Sequence, residues 1–114
     1  MINLVSSSRY KLNRKRVKKQ SDDILTAKGV GGVTVNLIFV GRNKMRQLSF
    51  NYKKEDVALP VLAFQYGEEN DDENLLGEIV ICYPQAVLLA AERNRKVEET
   101  IINLIRHGID NLLK

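Results

Sequence analysis

The chain reads as an α/β (α+β) domain: a single small sheet with helices packed on it, in the order βαβαββαα. Three observations predict this. Short β-branched runs such as Val33–Val40 and Leu75–Cys82 have the length and composition of buried strands. Tyr10, Val17 and Ile24 recur every seven residues, which lays one apolar stripe along a helix. The last segment, from Val97, repeats apolar residues at helical spacing through Leu112. Strands and helices that alternate in this way bury their apolar sides in a layered sheet-and-helix domain.

In chain order, Ile2 to Val5 is a short β-like start, and a helix is expected over residues 10–27 with basic residues around the rest of its circumference. Ser6-Ser7-Ser8 precedes it as a turn and N-cap region. Gly29, Gly31 and Gly32 terminate that helix and lack the setting of a nucleotide-binding loop. Val33–Val40 is a strand, and a short helix over Asn43–Tyr52 carries Met45, Leu48 and Tyr52 on one side. Pro60–Tyr66 is a strand opened by proline, where a missing N–H is tolerated. Glu68-Glu69-Asn70-Asp71-Asp72-Glu73 reads as an acidic connection to the strand Leu75–Cys82. Pro84 suits the start of a helix, Arg93-Asn94-Arg95 breaks it, and a final helix runs from about Val97 to Leu113. At about 100° per residue, Val97, Ile101, Leu104, Ile105, Gly108 and Leu112 share one face of that helix, while His107 and Asn111 lie together at its margin.

The 114 residues, 44% hydrophobic and 28% charged, suit one globular domain over residues 1–114. No apolar run approaches the roughly 18 residues of a membrane span, and Met1–Ser6 lacks the pattern of a signal peptide. The single cysteine, Cys82, excludes an internal disulfide and fits a reducing cytoplasm; it reads as a core residue. The net charge of +4 is concentrated at the start, where eight basic residues in 1–29 face only Asp22 and Asp23. Seven of the eleven residues from Arg9 to Lys19 are basic, the density of a surface that meets phosphates. The competing reading is a solvated helix face. Glu78 and Glu92 read as isolated carboxylates, and Glu98 and Glu99 as solvent-side residues near a helix start. Neither a P-loop, a zinc-finger spacing nor an aromatic-rich single-strand-binding signature is present, and no DNA specificity is evident.

Three segments then stand out. Leu48-Ser49-Phe50-Asn51-Tyr52-Lys53-Lys54-Glu55-Asp56, followed by Val61-Leu62-Ala63-Phe64, looks like L-N-x-x-Y-R-x-x-D with V-L-S-F after it. Leu75-Leu76-Gly77-Glu78-Ile79-Val80-Ile81-Cys82 is similar to L-L-G-D-I-V-I-C. His107-Gly108-Ile109-Asp110-Asn111-Leu112-Leu113 occupies the place of H-G-x-L-H-L-x-G-x-D-H. Together, in this order and at these distances, they resemble the YbeY family of bacterial rRNA maturation factors, which are metal-dependent endoribonucleases. The resemblance implies a single YbeY-like domain of zincin-like fold, an RNA substrate with rRNA and a ribosome or ribosomal subunit as partners, a cytoplasmic location and no membrane.

It also implies a zinc ion, Zn(2+), held by three histidines. Here His107 matches the first, Asn111 stands at the second, and the third position falls beyond Lys114. An amide oxygen is a poor replacement for imidazole at zinc. Asp110 points about 100° away from Asn111 around the helix, so it does not take over. Lys53 stands where the family has an arginine tied to activity, Leu59-Pro60 where it has Thr-Asp, and Ala63 where it has serine. Lys53 keeps the charge without the planar fork. The residues expected to work are therefore Lys53 on a phosphate, His107 toward a metal, and Arg14, Lys15, Lys18 and Lys19 along an RNA backbone. A metal-activated water attacking an RNA phosphodiester is the chemistry implied. Two function classes follow: an endoribonuclease of rRNA processing, or a non-catalytic RNA- or ribosome-binding module that has lost the metal. A chain continuing past Lys114 into the missing ligands is a third reading. Without the resemblance, a lone histidine on an apolar helix reads as structural.

Overall fold

The computed structural model describes residues 1–66 and 74–114. The elements are β1 (Ile2–Val5), α1 (Arg14–Ala27), β2 (Thr34–Val40), α2 (Arg42–Lys53), β3 (Val61–Gln65), β4 (Leu75–Cys82), α3 (Tyr83–Glu92) and α4 (Val97–Leu112). The order matches the βαβαββαα expectation. The acidic stretch 68–73 lies outside the described residues.

The four strands form one sheet in the order β1-β2-β4-β3. β1, β2 and β4 run parallel, and β3 pairs antiparallel with β4 along the edge. Side chains alternate across the sheet, and both faces are covered. Val35, Leu37 and Phe39 of β2 and Ile79 and Ile81 of β4 point into the larger core, against Val17, Ile24 and Leu25 of α1 and Ile101, Ile105 and Ile109 of α4. On the other face, Val80 and Cys82 of β4 and Leu62 of β3 pack on Met45 of α2. Burial of each such side chain contributes about 1.5–3 kcal/mol. That double covering explains why the second half of β4, Ile79–Cys82, is an unbroken apolar run.

One boundary departs from the sequence reading. α1 begins at Arg14, because Asn13 caps it with its side-chain oxygen accepting from the Arg16 backbone N–H at 3.1 Å. Tyr10 lies before the helix, its ring stacked on Tyr83 with centroids 4.7 Å apart. The serines make a turn, with Tyr10 N–H donating to the Ser7 carbonyl, rather than the cap. Tyr52, expected on one side of α2 with Met45 and Leu48, packs its ring tilted on Phe64 with centroids 4.7 Å apart yet stays 65% exposed.

Glycine is required at two positions. Gly29 closes α1 in the left-handed region (φ 79°), where a Cβ is disfavoured. Gly108 lets α4 lie against β4: a Cβ there would come within 2.9 Å of Ile79 Cγ2. The residue after His107 is thus small because the helix sits directly on the sheet.

Candidate functional site

α4 separates cleanly into two sides. Ile101, Ile105, Gly108, Ile109 and Leu112 are buried on the sheet, while Asn103, Arg106, His107 and Asp110 are exposed. His107 lines a cleft of about 570 Å³ together with Pro60 and Val61 of β3, Leu89 of α3, Arg93 and Arg95 of the α3–α4 turn, and Thr100, Asn103 and Leu104 of α4. Its floor is apolar and its rim cationic, and no carboxylate among the described residues lines it.

The turn that supplies the two arginines is fixed by its backbone. Arg93 N–H donates to the Leu89 carbonyl (3.1 Å), Asn94 N–H to Ala91 (3.2 Å) and Arg95 N–H to Ala90 (2.9 Å). Asn94 adopts φ 53°, the left-handed conformation that closes a helix. Glu99 then accepts the Lys96 backbone N–H at 3.4 Å as α4 starts. The sequence reading treated Arg93-Asn94-Arg95 only as a break between helices and missed these two side chains. The available signal was two arginines bracketing an asparagine suited to positive φ.

The donor set around His107 does not fit the expected zinc. Its neighbours one turn away on α4 are amides, Asn103 and Asn111. Asp110, the nearest carboxylate in sequence, is held by Lys28 of the α1 C-terminus, Nζ to Oδ1 2.7 Å. That hydrogen bond holds the Asp110 carboxyl below its ordinary range. Cys82 is buried with Met45, Leu62 and Val80 on the opposite face of the sheet, where burial pushes its thiol up. Among the described residues no three histidine, cysteine or carboxylate groups converge. A metal needs several such ligands.

The other expected residues lie apart from this cleft. Lys53 is the exposed last residue of α2, on the far face of the sheet, and is not among the cleft's lining residues. The turn that follows it is pinned by a two-point pairing of Arg46 with Asp56, at 2.7 and 3.0 Å. Asp56, the aspartate of the L-N-x-x-Y-R-x-x-D-like stretch, thus has a structural partner. Its carboxyl is held below the usual range by the hydrogen bonds from Arg46.

Of the α1 cations, Arg14 donates to the Leu4 carbonyl (3.0 Å), Arg16 pairs with Glu98 (3.1 Å) and Lys19 with Asp23 (3.1 Å). Lys15 and Lys18 are exposed and have no ion-pair partner among the described residues. Glu98, read as a solvent-side residue, is half-buried beneath Arg16. Glu78 is not isolated: Tyr66 Oη donates to it at 2.6 Å, which pushes the phenol pKa up.

A family model described as Endoribonuclease YbeY matches residues 3–113. Endoribonuclease YbeY of Aquifex aeolicus (strain VF5) is 32% identical over 110 residues, covering 96% of this chain and 73% of that protein. The Thermotoga neapolitana protein of the same description is 30% identical over 112 residues, covering 98% of this chain and 71% of its own. For the Janthinobacterium sp. (strain Marseille) protein the identity is 36% over 75 residues, with 66% and 49% covered. The solution structure of TM1509 from Thermotoga maritima superimposes with a TM-score of 0.70 at 27% identity, over 100% of this chain and 73% of that one.

Proposed function

The chain belongs to the YbeY family, and from that premise we propose that it is an endoribonuclease acting on RNA phosphodiesters in rRNA maturation. The observation that carries this reading is the family match along residues 3–113, which includes α4 and its single exposed histidine. RNA is the substrate class, and a ribosomal subunit or its precursor is the setting in which that substrate is met. No helix among the described residues is long and apolar enough to cross a membrane, and the proposed location is the cytoplasm.

YbeY proteins are generally metal-dependent. In this chain the polar groups that share the cleft with His107 are Arg93, Arg95, Thr100 and Asn103, and Asp110 is held by Lys28, so no step is assigned to a bound ion. What its own residues supply is attraction and placement of phosphate. Lys15 and Lys18 offer unpaired charge along α1, with Arg14 and Lys19 beside them, and such contacts hold a nucleic-acid backbone without reading its sequence. Lys53 adds a point charge at the end of α2. His107 is the one imidazole able to exchange a proton at a phosphate oxygen in its cleft.

The test is cleavage of an rRNA precursor fragment by the purified protein, with and without a chelator, beside His107→Ala. Cleavage that is lost in His107→Ala while the fold is retained supports the enzyme. Salt-sensitive RNA binding with no cleavage under any condition overturns it in favour of the binding module.

A further inference from the structure

We propose that the cleft beside His107 is a nucleotide-binding site that grips one RNA phosphate between Arg93 and Arg95. The inference rests on RNA being the substrate but assigns residues that neither the motifs nor the family match single out.

The choice follows from which arginines are available. Arg14, Arg16, Arg46 and Arg106 each donate to a neighbour: the Leu4 carbonyl, Glu98, Asp56 and the Asn103 side-chain oxygen. Arg9, Arg42, Arg93 and Arg95 have no such partner among the described residues, and of these only Arg93 and Arg95 line the His107 cleft, both exposed on its rim. Three hydrogen bonds fix their backbone, and the turn so places two guanidinium groups on one rim, where both can meet a tetrahedral anion. An arginine presents paired N–H donors that match phosphate oxygens.

The rest of the cleft suits the remainder of a nucleotide. Asn103 Oδ1 accepts from Arg106 at 3.0 Å, which leaves its NH₂ free to donate. Pro60, Val61, Leu89 and Leu104 are half-buried and give an apolar floor for a ribose or base. A volume of about 570 Å³ lies within the range of small-ligand sites, roughly 300–1,000 Å³. The neighbouring groove of about 610 Å³ shares Arg95 and Asn103 but is also lined by Glu98 and Glu99, which repel an anion. Of the two, the cleft at His107 is therefore the one suited to bind an anion.

The experiment measures fluorescence anisotropy of a short labelled oligoribonucleotide over a range of salt, with wild type and Arg93→Gln/Arg95→Gln. The double variant is expected to bind about tenfold more weakly and to lose about 0.7 of salt slope for each phosphate contact removed from a single strand. In parallel, adenosine 5′-monophosphate should move the His107 ring and Asn103 amide NMR signals in wild type and not in the variant. A 5′-phosphorylated and a 5′-hydroxyl trinucleotide separate the two phosphate sources: stronger binding of the former assigns a terminal phosphate, equal binding an internal one. Unchanged affinity and slope, or His107 and Asn103 signals indifferent to the nucleotide, would overturn the inference. That result leaves rRNA cleavage to be judged by its own assay. Conversely, a binding-only protein that loses affinity in the double variant keeps the inference and drops the enzyme.

Discussion

Helix α1 and the α3–α4 turn are both basic, but they hold their charge differently. α1 has the greater density, yet Arg14, Arg16 and Lys19 are each engaged by the protein itself. The turn has only Arg93, Arg95 and Lys96, and its two arginines stand unpaired beside a cleft. Charge counted along a sequence measures long-range attraction. Charge free of partners and fixed in place measures where a phosphate can be held. The two regions are thus expected to act in succession, α1 in drawing RNA in and the turn in fixing one nucleotide.

That contrast presupposes that α4 is seated firmly on the sheet. Ile105, fully buried between α4 and the sheet, is expected to cost about 2–5 kcal/mol when changed to alanine, read by urea unfolding. An Ile105→Ala protein as stable as wild type would contradict the packing. Gly108→Ala should cost about 1–3 kcal/mol, because the added methyl meets Ile79.

Next in size is a direct comparison of equal charges. Arg95→Gln should weaken binding of a short RNA several-fold more than Lys15→Gln, by about 1 kcal/mol, although each removes one positive charge. Equal losses would mean that density alone matters and would erase the distinction between the regions.

A smaller effect sharpens it from the other side. Glu98→Gln releases Arg16, so RNA affinity should rise about twofold while stability falls by no more than about 1 kcal/mol, as for a partly exposed pair. Unchanged affinity would show that Arg16 cannot reach the nucleic acid even when freed.

The smallest effect concerns pH. Asp110 and Asp56 have folded-state pKa values lowered by Lys28 and Arg46. Their stabilising contributions are complete above the ordinary aspartate range and disappear as pH falls through the lowered folded-state values. Asp110→Asn should therefore melt slightly below wild type at neutral pH, with the gap closing in acid. A gap that widens in acid would reverse the sign.

Much of the architecture was legible from periodicity. β2 and β4 announced themselves by β-branched runs, α4 by its apolar stripe, and the α3 start by Pro84. The first turn expected of α1 was not, because Tyr10 matches the seven-residue spacing while its ring stacks on Tyr83, a partner far along the chain. Helical spacing put Tyr52 on the side of Met45, where its ring meets Phe64, but spacing did not tell that it stays 65% exposed there. At the site, His107 and its exposure at the stripe's margin were readable. The cleft was not, since its lining comes from β3, α3, the turn and α4.

The sequence by itself determined the element order, the buried stripe of α4, the basic character of α1 and the shortage of metal-ligand residue types around the single histidine. These follow from local chemistry: side-chain period, residue type and count. Only the tertiary structure decided which cations are free, because an ion pair such as Arg16 with Glu98 joins residues distant along the chain. It likewise put Cys82 on the opposite face of the sheet from α4, and gathered two arginines, an amide and an apolar floor around one imidazole. Pairing depends on distance in space, which spacing along the chain does not encode.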